Sequence, residues 1–264
     1  MARIALGYWS DYFGSMMADE VTPQEQRKFV KWLCRDKPRS DGYIKRILTV
    51  GKAAFSRAVR EGELKTAPAI ITWQDGEAKD RVLTVEESRA LWQSAKQPHE
   101  RMFLALAYGL LARPEAILDL TREMVDFDRK LIAQNPIGRK QTRKYRPTVP
   151  VADFLLPMLT QAESGHLVQY RGQPIKSFKT AFRRMRRDSG LGQDVVAKTI
   201  RHTMATYLRT RGVNEPEIQG FLGHRAFSGK TEIYAKYRPD YLGSARVCVD
   251  EYMALVMATP ENAC

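Results

Sequence analysis

Residues 102–112 read MFLALAYGLLA, eleven positions without a charge. A run of this length is too short to cross a bilayer and too long for an ordinary strand. It reads as a buried helix that breaks around Leu110 to Pro114. A second helix follows through RPEAILDLTREMVDF, with Pro114 suited to its first position. The chain must therefore wrap a core around this helix, and at 264 residues it has enough length for one large domain or two modest ones.

Helical signals lie on both sides of an aperiodic stretch. TPQEQRKFVKWL has Thr22 as N-cap, Pro23 at the first helical position and Glu25 three residues on, the pattern of a capping box. SDGYIKRILTVGKAAFSRAVREG starts at Ser40 or Asp41 and stops at Gly62; Ile44, Ile47, Leu48, Phe55 and Val59 form its apolar stripe. Lys45, Arg46, Lys52, Arg57 and Arg60 fall on the other face. Residues 66–82, TAPAIITWQDGEAKDRV, show no period and carry Pro and Gly. They predict a linker, placed at 76–82, between a helical domain at 1–75 and a larger domain at 83–264. The second begins with another capping box, Thr84 to Glu87.

From residue 125 the period changes. VDFDRKLIAQNPIGRKQTRKYRPTVPV has short β-prone pieces separated by turn residues, predicting a small antiparallel sheet with its prolines at edges. Helices return at ADFLLPMLTQ and at KSFKTAFRRMRRDSG, which sets Phe178, Phe182 and Met185 against Lys176, Lys179, Arg183, Arg184, Arg186 and Arg187. The fold class is mainly α with a small antiparallel β-sheet.

The charge balance points to the partner. With 43 Lys and Arg against 30 Asp and Glu, the net charge of +13 favours a polyanion, most simply double-stranded DNA, whose condensed counterions are released on binding. Cys34, Cys248 and Cys264 are odd in number and widely spaced, which fits no disulfide framework and no metal-ligand pattern. The N-terminus has no signal-peptide pattern. A cytoplasmic protein without membrane contact and without a metal or other cofactor is expected.

ARPEAILDL, RHTMATYL, FLGH and TEIYAKY, in that order, resemble the motifs of the tyrosine recombinases, or phage integrases. The intervals are 88 residues from Arg113 to Arg201, 23 to His224 and 10 to Tyr234. The resemblance covers about 83 to 242 and implies a helical core-binding domain followed by a catalytic domain. The implied activity is site-specific recombination of DNA through a covalent 3′-phosphotyrosyl intermediate, by protomers that assemble as a tetramer on DNA. Such chemistry needs an attacking oxygen, positive charge on the non-bridging phosphate oxygens and an acid for the leaving 5′ oxygen.

By this resemblance Arg113 and Arg201 hold the phosphate, a task suited to a planar guanidinium that donates two parallel bonds. Lys198, one helical turn before Arg201, stands where the family usually has His. His224 bonds a non-bridging oxygen, and His202 is expected to be structural. Tyr234 is the nucleophile, with Tyr237 and Tyr241 as neighbours. The general acid is a hairpin lysine. The register counted back from VPV puts it near Arg143 or Lys144, a longer turn selects Lys140, and Lys144 is preferred. Ala116 replaces an acidic residue common in the family, and Glu115 is expected to face elsewhere. The terminal segment SARVCVDEYMALVMA predicts an amphipathic helix that either covers its own core or docks on a neighbouring protomer. Two other functions fit the residues: a non-catalytic DNA-binding protein on the same scaffold, and a type IB topoisomerase.

Overall fold

The computed structural model describes residues 2–74, 80–142, 144–224 and 242–258. The chain divides into two units, Met1–Lys79 and Asp80–Cys264.

Among the described residues the first unit has three α-helices: α1 (Ala2–Phe13), α2 (Pro23–Arg35) and α3 (Asp41–Arg60). Trp9 is its centre. The ring lies 4.9 Å from that of Phe29 and 5.2 Å from that of Phe13, and its Nε1 donates to the Ile47 carbonyl at 2.9 Å. α3 can come this close because residue 51 is glycine, where a Cβ would stand 2.2 Å from the indole. Thr22 caps α2 by accepting from the Glu25 N–H at 3.3 Å. The Glu25 carboxylate instead pairs with Lys28 at 2.6 Å, so only half of the anticipated box forms.

Part of the aperiodic stretch at 66–82 is packed. Buried Gln26 donates to Val21 and Ala69 carbonyls and accepts from the Ile71 N–H, each at 2.9 Å. Trp73 Nε1 donates to Asp41 at 3.0 Å, and Ile70, Ile71 and Trp73 lie against the core. Apolar side chains at 70, 71 and 73 thus keep this stretch on the first unit, although its backbone makes no helix or strand.

The second unit is built around α5 (Pro98–Leu110), whose residues 103–110 are all buried. Against it pack α9 (Ala197–Thr210) and the last described helix, α11 (Gly243–Met257), which in turn contacts α4 (Val85–Ser94). The Thr84 box is complete: Thr84 Oγ1 accepts from the Glu87 N–H at 3.2 Å, and the Thr84 N–H donates to Glu87 at 3.0 Å. Such a cap is worth about 1 kcal/mol. Short α6 (Pro114–Leu118) leads into the antiparallel sheet β1 (Val125–Asp126), β2 (Leu131–Ala133) and β3 (Thr148–Pro150), with Ile132 opposite Val125 and Val149. Pro150 sits on the outer strand, where a missing N–H costs least.

Next come α7 (Leu156–Gln161), a hairpin of β4 (Gln169–Tyr170) and β5 (Gln173–Pro174), α8 (Lys179–Asp188) and α10 (Glu215–Leu222). That hairpin turns on Arg171 and Gly172, both at positive φ. The basic set on α8 is partly used internally. Arg184 pairs with buried Glu100, and Arg186 donates to the Gln193 and Val195 carbonyls at 3.3 Å. α11 buries Val249, Tyr252, Met253 and Val256 in its own unit, and the Tyr252 hydroxyl bonds Ser88 at 2.7 Å. The terminal helix therefore covers this chain's own core. Among the described residues no helix is long and apolar enough to cross a membrane.

Candidate active site

Two helix ends make the floor. α5 stops at Leu111, a buried non-glycine residue at φ 48, and α10 stops at Gly223 at φ 61. The left-handed turn is costly for leucine, about 1–2 kcal/mol, and it leaves carbonyls that need donors. Arg201 supplies them. It projects from α9, is 7% exposed, and donates from Nη1 to Leu111 O and from Nη2 to Leu222 O, each at 2.5 Å. Both acceptors lie at C-terminal helix ends, whose partial negative charge suits a cation.

His224 follows Gly223, and its Nε2 lies 3.4 Å from Arg201 Nη2, a donor–acceptor pair when Nε2 is unprotonated. Arg113 is the N-cap residue of α6, with Pro114 at the first helical position. Its Nη1 donates to the Tyr145 carbonyl at 3.1 Å. The same carbonyl faces Gly223: a Cβ there would lie 2.8 Å from Tyr145 O and 2.7 Å from Pro147 Cδ. The segment leading into β3 thus passes between Arg113 and the turn that carries His224.

The charges feel one another. Burial, and then the Arg113 cation, pull the Arg201 pKa down to about 9. His224 is held below its usual range by partial burial and by Arg201, Arg113 and Lys198, in that order. Arg113 is lowered by burial and by Arg146, with Glu115 acting the other way. Like cations crowded into a partly desolvated site favour an anion between them. Lys198 is exposed at the start of α9, one turn before Arg201.

Beside Arg113 lies a cleft of about 170 Å³ lined by Arg113, Glu115, Ala116, Arg139, Lys144 and Arg146. Lys144 and Lys140 are both exposed, and of the two Lys144 lines this cleft. Glu115, expected to face elsewhere, is exposed but lines this cleft together with Ala116. Arg146, which none of the motifs marks, lines the cleft as well. It is mostly buried, its Nη2 pairs with Asp119 at 2.8 Å, and its presence two residues before β3 in YRPTV was the available signal. His202 is exposed on α9 and lowered by partial burial and by Lys198 and Arg201, so it belongs to the charged surroundings rather than to the core. Arg143, Tyr234, Tyr237 and Tyr241 lie outside the described residues.

The phage integrase family model matches residues 81–240. The chain belongs to the phage integrase family. As a member, this integrase is a site-specific tyrosine recombinase, an enzyme that transfers DNA strands. It is 27% identical over 219 residues to tyrosine recombinase XerA of Thermococcus kodakarensis, a match spanning 79% of this integrase and 77% of that relative. Tyrosine recombinase XerC of Chlamydia caviae is 28% identical over 142 residues, 50% of this integrase and 45% of that relative. The Tn1549 transposon integrase, solved in complex with transposon right end DNA, has the same fold at a TM-score of 0.69 and 18% identity, over 94% of this integrase and 91% of that chain. A lambda integrase dimer bound to a COC′ core site gives 0.69 and 15%, over 90% of each.

Proposed function

We propose that this integrase cuts DNA by in-line attack of the Tyr234 phenolic oxygen on the scissile phosphorus. The P–O5′ bond breaks, a 3′-phosphotyrosyl bond forms, and the leaving 5′ oxygen takes a proton from Lys144. The 5′ hydroxyl of a second strand then attacks the same phosphorus, and the phenol departs protonated. Phosphoester bonds are conserved in number, so strand joining needs no outside energy.

Arg113 and Arg201 hold the non-bridging oxygens, His224 bonds one of them, and Lys198 adds charge where a histidine is usual. The observation that carries this reading is the 3.4 Å approach of His224 to Arg201, with Arg113 near enough to depress both. Arg201 already has two carbonyl partners, so it is preorganised and loses little freedom when a phosphate arrives.

The partner is double-stranded DNA, in keeping with the net charge of +13. Residues 1–75 form the core-binding domain and 83–264 the catalytic domain, joined at 76–82. Exchange of both strands between two duplexes requires four cuts. With one nucleophile per chain, four protomers act together as a tetramer. The reaction takes place in the cytoplasm, with the DNA.

The test is strand transfer. Incubated with two differently labelled duplexes carrying its site, the integrase is expected to give joined products of both labels. Relaxation of supercoiled DNA without joining favours a topoisomerase. Tight binding with neither product favours a DNA-binding protein without catalysis.

A further inference from the structure

The hairpin between β2 and β3 carries Lys140 and Lys144, yet ladder pairing ends near Gln134, whose N–H still donates to Pro147 O at 3.0 Å. Among the described residues from 135 to 147, none lies in a strand. A loop of this length, left to itself, samples many conformations and would deliver its lysine to the phosphate only part of the time.

One side chain replaces the missing strand. Gln141 Nε2 donates to the Arg146 carbonyl at 2.9 Å, and Gln141 Oε1 accepts from the Arg146 N–H at 3.2 Å. A carboxamide can do both at once, as the backbone of a paired residue would. These bonds close the loop from 141 to 146, inside which the Lys144 N–H donates to Thr142 Oγ1 at 3.2 Å. Arg146, fixed in this way, reaches Asp119 at the end of α6 with Nη2 at 2.8 Å. Arg113 begins the same short helix and holds the carbonyl of Tyr145, the residue next to Lys144. The two residues that follow the lysine are thereby anchored to the element that presents the first arginine.

Resting on the lysine assignment under the proposed function, we infer that Gln141 is a positioning residue for the general acid, holding Lys144 at the scissile phosphate through its paired bonds to the Arg146 backbone. It touches no reacting atom. Its main effect is on protonation of the leaving oxygen, and Arg201 keeps its two carbonyl supports on other elements.

A nicked duplex with sulfur in place of the bridging 5′ oxygen tests this. The P–S bond breaks to release a thiolate, which needs no proton, so a fault in the general acid vanishes on that substrate while a fault in phosphate binding persists. Gln141→Ala is expected to cleave the ordinary duplex at least about tenfold more slowly than the parent, and the sulfur duplex at the parent rate, with general acids commonly supplying about 10²–10⁴-fold. Gln141→Glu keeps the acceptor for the Arg146 N–H but not the donor, and should show a smaller defect with the same rescue. Duplex affinity, measured in parallel, should be unchanged and reports that the variants are folded.

Equal rates for Gln141→Ala and parent on the ordinary duplex would overturn the inference, as would a defect of the same size on both duplexes. Lys144→Ala separates the two levels. If it is rescued by sulfur and Gln141→Ala is not, the inference fails alone; if Lys144→Ala is itself not rescued, the lysine assignment falls and takes the inference with it.

Discussion

Arg201 holds Leu111 by its carbonyl, 90 residues away in the chain, at the point where the buried helix α5 turns left-handed. Its other arm holds Leu222 at the end of α10. One guanidinium thus fixes the two helix ends that lead to Arg113 and His224. Loss of Arg201 should harm the fold as well as the chemistry.

Arg201→Ala leaves two buried carbonyls without a donor, and should lower the unfolding free energy of the second unit by about 3 kcal/mol. Arg113→Ala removes one bond from a half-buried site and should cost about 1 kcal/mol. Urea denaturation followed by circular dichroism distinguishes them. Equal losses would contradict the different supporting roles.

Gly223→Ala meets two obstacles at once, a φ of 61° and a Cβ only 2.7 Å from Pro147 Cδ. Strain of this kind costs about 1–3 kcal/mol. Relief by moving Tyr145 outward would also break its bond to Arg113. The expected result is a lower melting temperature together with slower cleavage, read by thermal unfolding and by adduct yield.

His224 should titrate below its ordinary pKa of 6.5 in the free protein, because of partial desolvation and three nearby cations. As pH falls through 6.5 the unfolded chain takes up its proton first, so the stability tied to neutral His224 declines there. It levels off below the folded-state pKa. A bound phosphate offsets the cations and should raise that pKa. NMR titration of the ring with and without a phosphate-bearing oligonucleotide measures both; a free-protein value above 6.5 would contradict the charge arrangement.

α11 belongs to the core of its own unit. A chain ending before Gly243 loses Val249, Tyr252, Met253 and Val256, all buried, at about 1.5–3 kcal/mol for each large side chain. The sum, about 6–12 kcal/mol, is comparable to the whole stability margin of a domain, about 5–15 kcal/mol. Cooperative unfolding of the second unit should disappear, whereas Tyr252→Phe, which removes only the bond to Ser88, should cost about 1 kcal/mol. Calorimetry of both variants checks this.

The features legible in the sequence are those that depend on neighbours in the chain. Thr84 and Glu87 cap α4 within four residues, the uncharged run at 102–112 must be buried, and Pro114 restarts a helix after a break. What was not legible rests on competition between partners and on packing. Glu25 had Lys28 as a competing partner for its carboxylate, Ile71 found its acceptor on Gln26, and Glu115 lines the same cleft as Arg113. Gln141 reads as one polar loop residue among many until Arg146 is seen across the loop. Spacing alone could not tell that Arg201 and His224 approach to 3.4 Å; the family resemblance supplied that expectation.

The most direct measurement concerns Tyr234. A nicked duplex that traps the cleaved state should yield a denaturant-stable protein–DNA adduct, and mass spectrometry of its peptides should place the nucleotide on Tyr234. Tyr234→Phe should give no adduct while binding the duplex with undiminished affinity. An adduct that persists in Tyr234→Phe, or that maps to another residue, would contradict the account.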